Sequence, residues 1–283
     1  MKTATKSRVS NTLTYILLII LGILWVLPIV YLVYTAFRVT PSTGIINTLF
    51  PKNLRLGFEN FIKLFQDTMF SRWLLNTLIV STSSCALTTL FILMVSYALS
   101  RLRFKLRKPI MNILLVLGMF PGFMSMIAVY FILKAMNLTN SLAALVMVYS
   151  GSAALSYYIC KGFFDTMPKA MEEAAILDGA SQLTIFRRII LPLAKPIIVY
   201  TVLTSFISPW CDFIFVNTII SEREKYTVAL GLYKMINAEK SSFNDNFTVF
   251  CAGAFVVGSI IVTLFMSMQK YYVEGITSGA VKG

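Results

Sequence analysis

Histidine is absent from all 283 residues of the sequence. Its absence excludes Ser-His-Asp triads, Cys-His dyads and HExxH zinc sites, so most hydrolase mechanisms have no candidate residues. None of the 14 glycines is followed by lysine, so the phosphate-binding loop GxxxxGK[ST] is also missing. We therefore predict a chain that is not an enzyme and has no catalytic residue, no metal site and no cofactor of its own.

Charged residues are scarce, at 13% of the chain, whereas hydrophobic residues make up 57% and the mean hydropathy is +0.77. This composition predicts a membrane protein. Six apolar stretches have the length of about 20 residues that an α-helix needs to cross the hydrocarbon core. We predict an all-α polytopic fold in one membrane domain, residues 1–283, with spans at 15–36, 74–99, 110–133, 142–159, 197–219 and 247–268.

The first stretch follows Lys2, Lys6 and Arg8 and so is similar to a signal peptide. Its apolar run is too long for one, and no small-residue cleavage site follows, so we expect a retained first helix. The four cysteines all lie within or beside apolar stretches, which favours buried small side chains over a disulfide framework.

The net charge of +13 is distributed unevenly between the loops. Basic residues concentrate at the N-terminus, in residues 101–108 and in residues 161–195, and these segments lie on one side of the membrane in a six-helix topology. The positive-inside rule then predicts that both termini are cytoplasmic. Because basic residues that flank spans are an ordinary topology signal, we predict no nucleic-acid partner.

Two of the predicted spans carry helix-packing signals. The second contains Ser81, Ser84 and Thr88 among other hydroxylated residues, which permit close approach and interhelical hydrogen bonds in lipid, so this face is expected to contact protein. In the third, Pro121 lies between Gly118 and Gly122, a pattern that predicts either close helix packing or a kink.

Asp212 is the only acidic residue within the predicted spans, and a carboxylate at that depth is a candidate functional residue. Trp210 and Phe213 flank it and could stack on a sugar ring while Asp212 accepts hydrogen bonds from hydroxyl groups. The same residues could instead pair with a polar group of a partner subunit. We name all three as candidates for a translocation path, and both interpretations stand at this point.

Residues 165–195 form the longest predicted cytoplasmic loop and carry their own helical pattern. Pro168 suits a first helical turn, and Glu172 and Glu173 lie near the positive end of that helix's dipole. Gly179 can adopt the left-handed conformation that ends a helix, and Ser181 can cap a second one.

We expect this second helix to end near Leu191, because Pro192 disfavours helix in the preceding residue. The slim, partly apolar first helix fits a cleft on another protein. The same pattern also suits a loop that lies on the lipid headgroups, and periodicity does not decide between these alternatives.

The loop contains Glu-Ala-Ala, then glycine after three residues, then Ile-x-Leu-Pro after nine more. This pattern resembles the EAA motif of bacterial ABC-importer permeases. The resemblance extends over almost the whole chain, through segments such as WLLNT, MFPGFMSMIAVYFIL and VEGITSGAVKG. It is closest to the smaller, six-helix permease of maltose-type carbohydrate transporters.

This resemblance implies a bacterial inner-membrane permease that pairs with a second permease, two cytoplasmic ATPases that bind ATP and Mg, and an external sugar-binding protein. Residues 165–195 would then be a coupling loop that passes ATPase motion to alternating access for a sugar. One departure is Cys211, which stands where the family often has asparagine in W-N-E-F. The ATPase-coupling residues implied are Glu173, Ala174, Ala175, Gly179, Ile189, Leu191 and Pro192.

Two other classes of protein fit parts of the pattern. An ion-coupled secondary transporter usually has several carboxylates within its spans, and a single aspartate gives this class little support. A membrane scaffold that recruits cytosolic partners is the other alternative. Uptake that depends on internal ATP and an added binding protein would favour the importer, uptake that depends on a proton or sodium gradient the carrier, and the absence of flux the scaffold.

Overall fold

The computed structural model describes residues 2–39, 54–237 and 242–280. The described residues are almost entirely helical, which confirms the all-α prediction, and the one strand pair they contain is antiparallel, with Arg38 opposite Leu56. In chain order the elements are α1 (Lys2–Phe37), β1 (Arg38–Val39), β2 (Arg55–Leu56), α2 (Glu59–Gln66), α3 (Phe70–Arg101), α4 (Arg107–Met119), α5 (Gly122–Ala135), α6 (Leu142–Gly151), α7 (Ala154–Asp165), α8 (Ala170–Leu177), α9 (Gln182–Ile185), a π-helical turn (Phe186–Ile190), α10 (Leu191–Leu193), α11 (Lys195–Cys211), α12 (Ile214–Ile219), a 3₁₀ turn (Arg223–Lys225), α13 (Val228–Asn237) and α14 (Ser242–Ala280).

The protein is a multi-pass membrane protein. Within the described ranges, three helical stretches are long and apolar enough to cross a membrane without a break: Asn11–Phe37, Phe70–Arg101 and Asn246–Tyr271. Three bent helix pairs are also long and apolar enough to cross the membrane if each pair counts as one span. The total is then up to six spans. The bent pairs are α4 with α5, α6 with α7, and the 182–193 segment with α11.

The third and fourth predicted spans are therefore interrupted. Pro121 restricts Phe120 to an extended conformation, with φ −71° and ψ 130°, so α4 ends there and α5 begins anew. Between α6 and α7 the axis bends by 44° at Ser152 and Ala153. The hydroxyl of Ser152 donates to the carbonyl of Val148 and competes for it with the helix.

The fifth predicted span, 197–219, is interrupted as well. Helix α11 ends at Cys211, Asp212 is extended with φ −89° and ψ 106°, and α12 starts at Ile214. Pro209 lies in the last turn of α11 and offers no N–H to the ladder, which weakens the helix just before the break.

Two compact units make up the chain, and they are described separately: Met1–Phe70 with Lys234–Gly258, and Ser71–Tyr233 with Ser259–Gly283. In the first unit, Asn60 of α2 is buried and its amide donates to the carbonyls of Ala36 and Arg38, at 2.9 and 2.8 Å. The single membrane domain over residues 1–283 stays a prediction.

Helix α3 supplies much of the interior of the second unit. Ser81, Ser84 and Thr88 are all buried, which confirms that this face contacts protein, whereas Ser83 is exposed. Of the four cysteines, three are buried as expected, but Cys211 is exposed.

Candidate functional site

The coupling loop (residues 165–195) contains the two helices that its sequence predicts. Helix α8 spans Ala170–Leu177, and Glu172 and Glu173 lie in its first turn, beside the positive end of the helix dipole. Pro168 lies two residues before the helix and not within its first turn.

Gly179 ends α8 as predicted, with a φ of +78°. The N–H of Gly179 donates to the carbonyl of Ile176 at 3.0 Å, and the N–H of Ala180 donates to that of Ala175 at 2.9 Å. These two bonds form a Schellman motif, in which a left-handed residue satisfies the last carbonyls of a helix. A β-carbon at Gly179 would have no atom within 4 Å, so the requirement for glycine is conformational and not steric.

Ser181 caps the next helix, also as predicted. Its hydroxyl accepts a hydrogen bond from the N–H of Thr184 at 3.3 Å, and Ser181 itself is extended, with φ −70° and ψ 155°. This geometry satisfies one of the N–H groups that the first turn of a helix leaves without a partner.

The second helix ends at Leu193, two residues past the predicted end near Leu191, and the expectation that Pro192 keeps Leu191 out of helix is wrong. Leu191 is helical, with φ −58° and ψ −43°, and Pro192 lies inside α10. The chain accommodates this proline through the π-helical turn Phe186–Ile190, after which the N–H of Leu191 donates to the carbonyl of Phe186. The helix then ends at Leu193, and the chain axis bends by 81° before it continues as α11.

Helix α8 presents an apolar surface outward. Met171, Ile176 and Leu177 are 51%, 50% and 88% exposed. Among the predicted coupling residues, Glu173 and Ala174 are exposed on the same helix. Gly179 and Pro192, which lie elsewhere in the loop, are exposed too. Such a surface on a charged loop is typical of a protein contact site.

The other side of the loop is fixed to the spans. The remaining coupling residues, Ala175, Ile189 and Leu191, are partly buried and pack against one core. That core includes Phe164 and Ile190, both almost completely buried, and extends to residues of α3, α7 and α11. The coupling loop is therefore seated on three spans with α8 at its surface.

Sequence reasoning did not identify the role of Glu172. Its carboxylate forms an ion pair of 2.7 Å with Nε of Arg101, and the two side chains are only 10% and 5% exposed. Nη2 of Arg101 also donates to the carbonyl of Met167 at 3.1 Å. A sequence signal did exist, because Arg101 begins the basic run 101–108, but nothing local indicated which basic residue faces an acid.

A cavity of about 850 Å³ lies where the spans are interrupted. Its lining includes residues on both sides of the α4–α5, α6–α7 and α11–α12 breaks, but none from the break between Leu193 and Lys195. Irregular backbone at membrane depth is tolerated where it lines a cavity or is covered by protein, and discontinuous helices form the substrate sites of many transporters. Polar groups on its wall come from Ser125, Tyr149, Ser152, Ser208 and Asp212.

Asp212 lines this cavity at the α11–α12 break. Its Oδ1 accepts from the N–H of Phe215 at 3.0 Å, and its Oδ2 accepts from the hydroxyl of Tyr149 at 3.0 Å. The carboxylate therefore holds the first turn of α12 and links it to α6. Among the described residues, no group of three or more Cys, Asp or Glu side chains is arranged to hold a metal ion.

Trp210 and Phe213 face protein and not the cavity. Trp210 is 3% exposed, and its indole N–H donates to the hydroxyl of Ser81 at 2.9 Å. The ring of Phe213 is stacked on Tyr233, with centroids 4.5 Å apart and planes 24° apart. Of the three translocation-path candidates, the structure thus places only Asp212 on the cavity wall.

Known proteins are similar to this chain in sequence and in fold. The maltodextrin transport system permease protein MalD of Streptococcus pneumoniae is 34% identical over 98% of both chains. The galactooligosaccharides transport system permease protein GanQ of Bacillus subtilis is 31% identical over 95% of both. The crystal structure of a bacterial ABC transporter involved in the import of the acidic polysaccharide alginate has the same fold, with a TM-score of 0.79 at 21% identity, over 94% of this chain and 98% of that one.

The model of one protein family matches residues 89–275, a range that holds the C-terminal part of α3, every helix break described above and the whole coupling loop. By that match and by the identity to MalD, the chain belongs to the family of binding-protein-dependent transport system inner membrane components.

Proposed function

We propose that this chain is the permease subunit of an ATP-driven, binding-protein-dependent importer of oligosaccharides. Membership of the family supports the importer class. The oligosaccharide cargo is supported by relatives named for maltodextrin and galactooligosaccharides, which are similar over nearly the whole chain. The chain provides the membrane path, and ATP hydrolysis takes place in separate subunits.

The exposed surface of α8 is the contact for an ATPase subunit. Its apolar residues lie outward on a loop whose inner side is packed on three spans, so a push on α8 reaches those spans through well-packed side chains. Glu173 and Ala174 contact the ATPase directly. Ala175, Gly179, Ile189, Leu191 and Pro192 give the loop its shape.

The cavity at the helix breaks is part of the translocation path. Asp212 accepts hydrogen bonds from sugar hydroxyl groups, and the neighbouring serines add further polar contacts. Trp210 and Phe213 hold the break in position through Ser81 and Tyr233. The cavity opens alternately to the two sides of the membrane as the ATPases close and separate.

The complete importer contains a second, different permease, two cytoplasmic ATPases with bound ATP and Mg, and an external sugar-binding protein. It resides in the bacterial inner membrane with both termini of this chain in the cytoplasm. The basic residues of 101–108 and the coupling loop then lie on the ATPase side.

The test is uptake of radiolabelled maltotriose and galactotriose into proteoliposomes that contain the complex purified with its native partner subunits. We expect uptake that requires ATP inside and binding protein outside. Uptake that follows an imposed proton or sodium gradient without ATP would replace this function with that of a secondary carrier, and the absence of flux with every sugar tested would favour a scaffold.

A further inference from the structure

Helix α3 is continuous, whereas the other candidate spans between Ser71 and Tyr233 are bent pairs. It runs through 32 residues without an internal proline or glycine, which is about 48 Å at 1.5 Å per residue. A helix of that length reaches both sides of a membrane. Each of its ends is bonded to a different loop.

At its C-terminal end, one turn of α3 contacts three segments. Tyr97 donates to the side chain of Gln182 at 3.0 Å, Ser100 donates to Asp165 at 2.6 Å, and Arg101 forms its buried ion pair with Glu172. We call this set of contacts the loop junction. It ties α3 to the end of α7, to α8 and to the start of α9.

At the other end, α3 holds the segment 223–228. The indole N–H of Trp73 donates to the carbonyl of Arg223 at 3.0 Å, and the amide of Asn76 donates to the carbonyls of Glu224 and Tyr226 at 2.7 and 3.0 Å. Thr77 accepts from the N–H of Val228 at 2.8 Å. We call these contacts the Trp73 junction.

The Trp73 junction is closely packed as well as hydrogen-bonded. Trp73, Asn76 and Thr77 are 1%, 3% and 0% exposed. Gly231 of α13 lies so near the indole that a β-carbon there would overlap the six-membered ring of Trp73. The rigid ring has no alternative position of low energy, so the fit depends on glycine.

Between the two junctions, buried side chains of α3 bond to neighbouring helices. Ser96 donates to the carbonyl of Tyr157 at 3.0 Å, and Ser81 donates to the carbonyl of Phe206. These bonds keep α3 aligned with α7 and α11 along its length.

We propose that α3 carries the displacement of the coupling loop across the membrane to the segment 223–228, with Arg101, Glu172 and Trp73 as positioning residues. This inference rests on the proposed function, because the displacement originates at the ATPases. A straight helix that is fixed at both ends transmits a shift along its length, whereas a bent pair absorbs part of it at the break. ATPase closure therefore reorganises a surface on the side from which the binding protein delivers its cargo.

By linkage, the coupling is reciprocal. A binding protein that stabilises one position of the segment 223–228 also favours one position of α8, by the same coupling free energy. The chain thus contains a physical route by which a docked binding protein raises ATPase activity, and α3 is that route.

The test measures movement of the coupling loop and of the segment 223–228 in the purified importer complex. All variants carry Cys211→Ser, which removes the exposed thiol. A bimane fluorophore is attached either at Glu224→Cys, in the segment 223–228, or at Lys169→Cys, at the start of α8; both side chains are exposed. Fluorescence is compared between the nucleotide-free complex and the complex trapped with ATP and vanadate.

We expect a response at both positions with the wild-type junctions. Glu172→Gln should reduce the response at position 224 at least about fivefold and leave the response at position 169 unchanged. The charge swap, Arg101→Glu with Glu172→Arg, should restore part of the response at position 224. The control Lys134→Gln also changes a single charge, but at an exposed position near the end of α5, a helix that takes part in neither junction, and it should change neither response.

Gly231→Ala is a second, independent variant, because it disturbs the Trp73 junction without changing a charge. It should also lower the response at position 224 and leave that at 169. Equal responses at position 224 in Glu172→Gln, Gly231→Ala and the wild type would overturn the inference. No response at position 169 in the wild type would overturn the proposed function itself, and the inference with it.

Discussion

The hydroxyl of Tyr149 donates to Oδ2 of Asp212 across the α6 and α11–α12 breaks, at 3.0 Å. Because Oδ1 of the same carboxylate accepts from the N–H of Phe215, one side chain both starts a helix and joins two interrupted spans. The carboxylate therefore has a structural role that can be separated from the role in transport that we propose for it.

Asp212→Asn tests that separation. The amide oxygen of the variant can still accept from the N–H of Phe215, and its NH2 group can donate to the hydroxyl oxygen of Tyr149. With both contacts kept, we expect thermal stability to change by less than about 1 kcal/mol. Loss of the carboxylate from the cavity wall should nevertheless slow uptake severalfold, measured with the ATP-dependent assay in proteoliposomes. Tyr149→Phe leaves Oδ2 without its donor and should lower stability by roughly 1–3 kcal/mol. Wild-type uptake by Asp212→Asn would limit the residue to its structural role.

The contact between Ser81 and Trp210 can be measured by a double-mutant cycle. Ser81→Ala removes the acceptor of a buried indole N–H, and interhelical hydrogen bonds in membranes contribute about 0.6 to 1.7 kcal/mol, so we expect a loss in that range. Ser81→Ala combined with Trp210→Phe should cost less than the sum of the single changes. Ser83→Ala, on the exposed side of the same turn, is the matched control.

Charge reversal at Glu173 tests the proposed ATPase contact. Because Glu173 is exposed on α8, Glu173→Lys should leave membrane insertion and thermal stability close to those of the wild type, within about 0.5 kcal/mol. It should sharply lower the amount of ATPase that co-purifies, and uptake should fall with it. Glu222→Lys is the control, because Glu222 is also exposed but lies in the loop after α12. Equal ATPase retention by both variants would contradict the assignment.

Substitutions at Gly179 should follow conformational preference and not side-chain volume. The residue has a φ of +78° with open space around its α-carbon, so Asn, which tolerates this region, should be accepted better than Ala, and Ala better than Val. We expect Gly179→Ala to cost about 1–2 kcal/mol of local stability and to reduce ATP-coupled uptake. Hydrogen exchange at the end of α8 would measure the local loss. A loss that rises from Ala to Asn with side-chain size would contradict the conformational explanation.

Features of the coupling loop that depend on neighbouring residues were predictable from the sequence. The left-handed glycine, the serine cap and the glutamates in the first turn of α8 each follow from local backbone chemistry. The continuation of the helix through Pro192 was not predictable from the sequence. Leu191 precedes a proline and so has a local preference for an extended conformation, but the core beneath the π-helical turn stabilises that turn and overrides this preference.

Long-range pairs and most of the interruptions were beyond sequence reasoning. Arg101 and Glu172 are far apart in the chain, and no local pattern matches one with the other. Hydropathy predicts one span over 197–219, and Pro209, three residues before the break at Asp212, was a weak local signal because proline also occurs inside membrane helices. The pattern around Pro121 was the one break signal that the sequence interpretation used.

The convergence of three helix ends on one cavity also bears on how such permeases diversify. A helix that stops inside the membrane ends in carbonyl groups that its own ladder does not pair, so the main chain itself contributes polarity to the wall. On the proposed translocation path, side chains there can change to suit sugars of different size and linkage while these main-chain carbonyl groups remain. Selection for a new cargo can thus act on the cavity without rebuilding the scaffold around it.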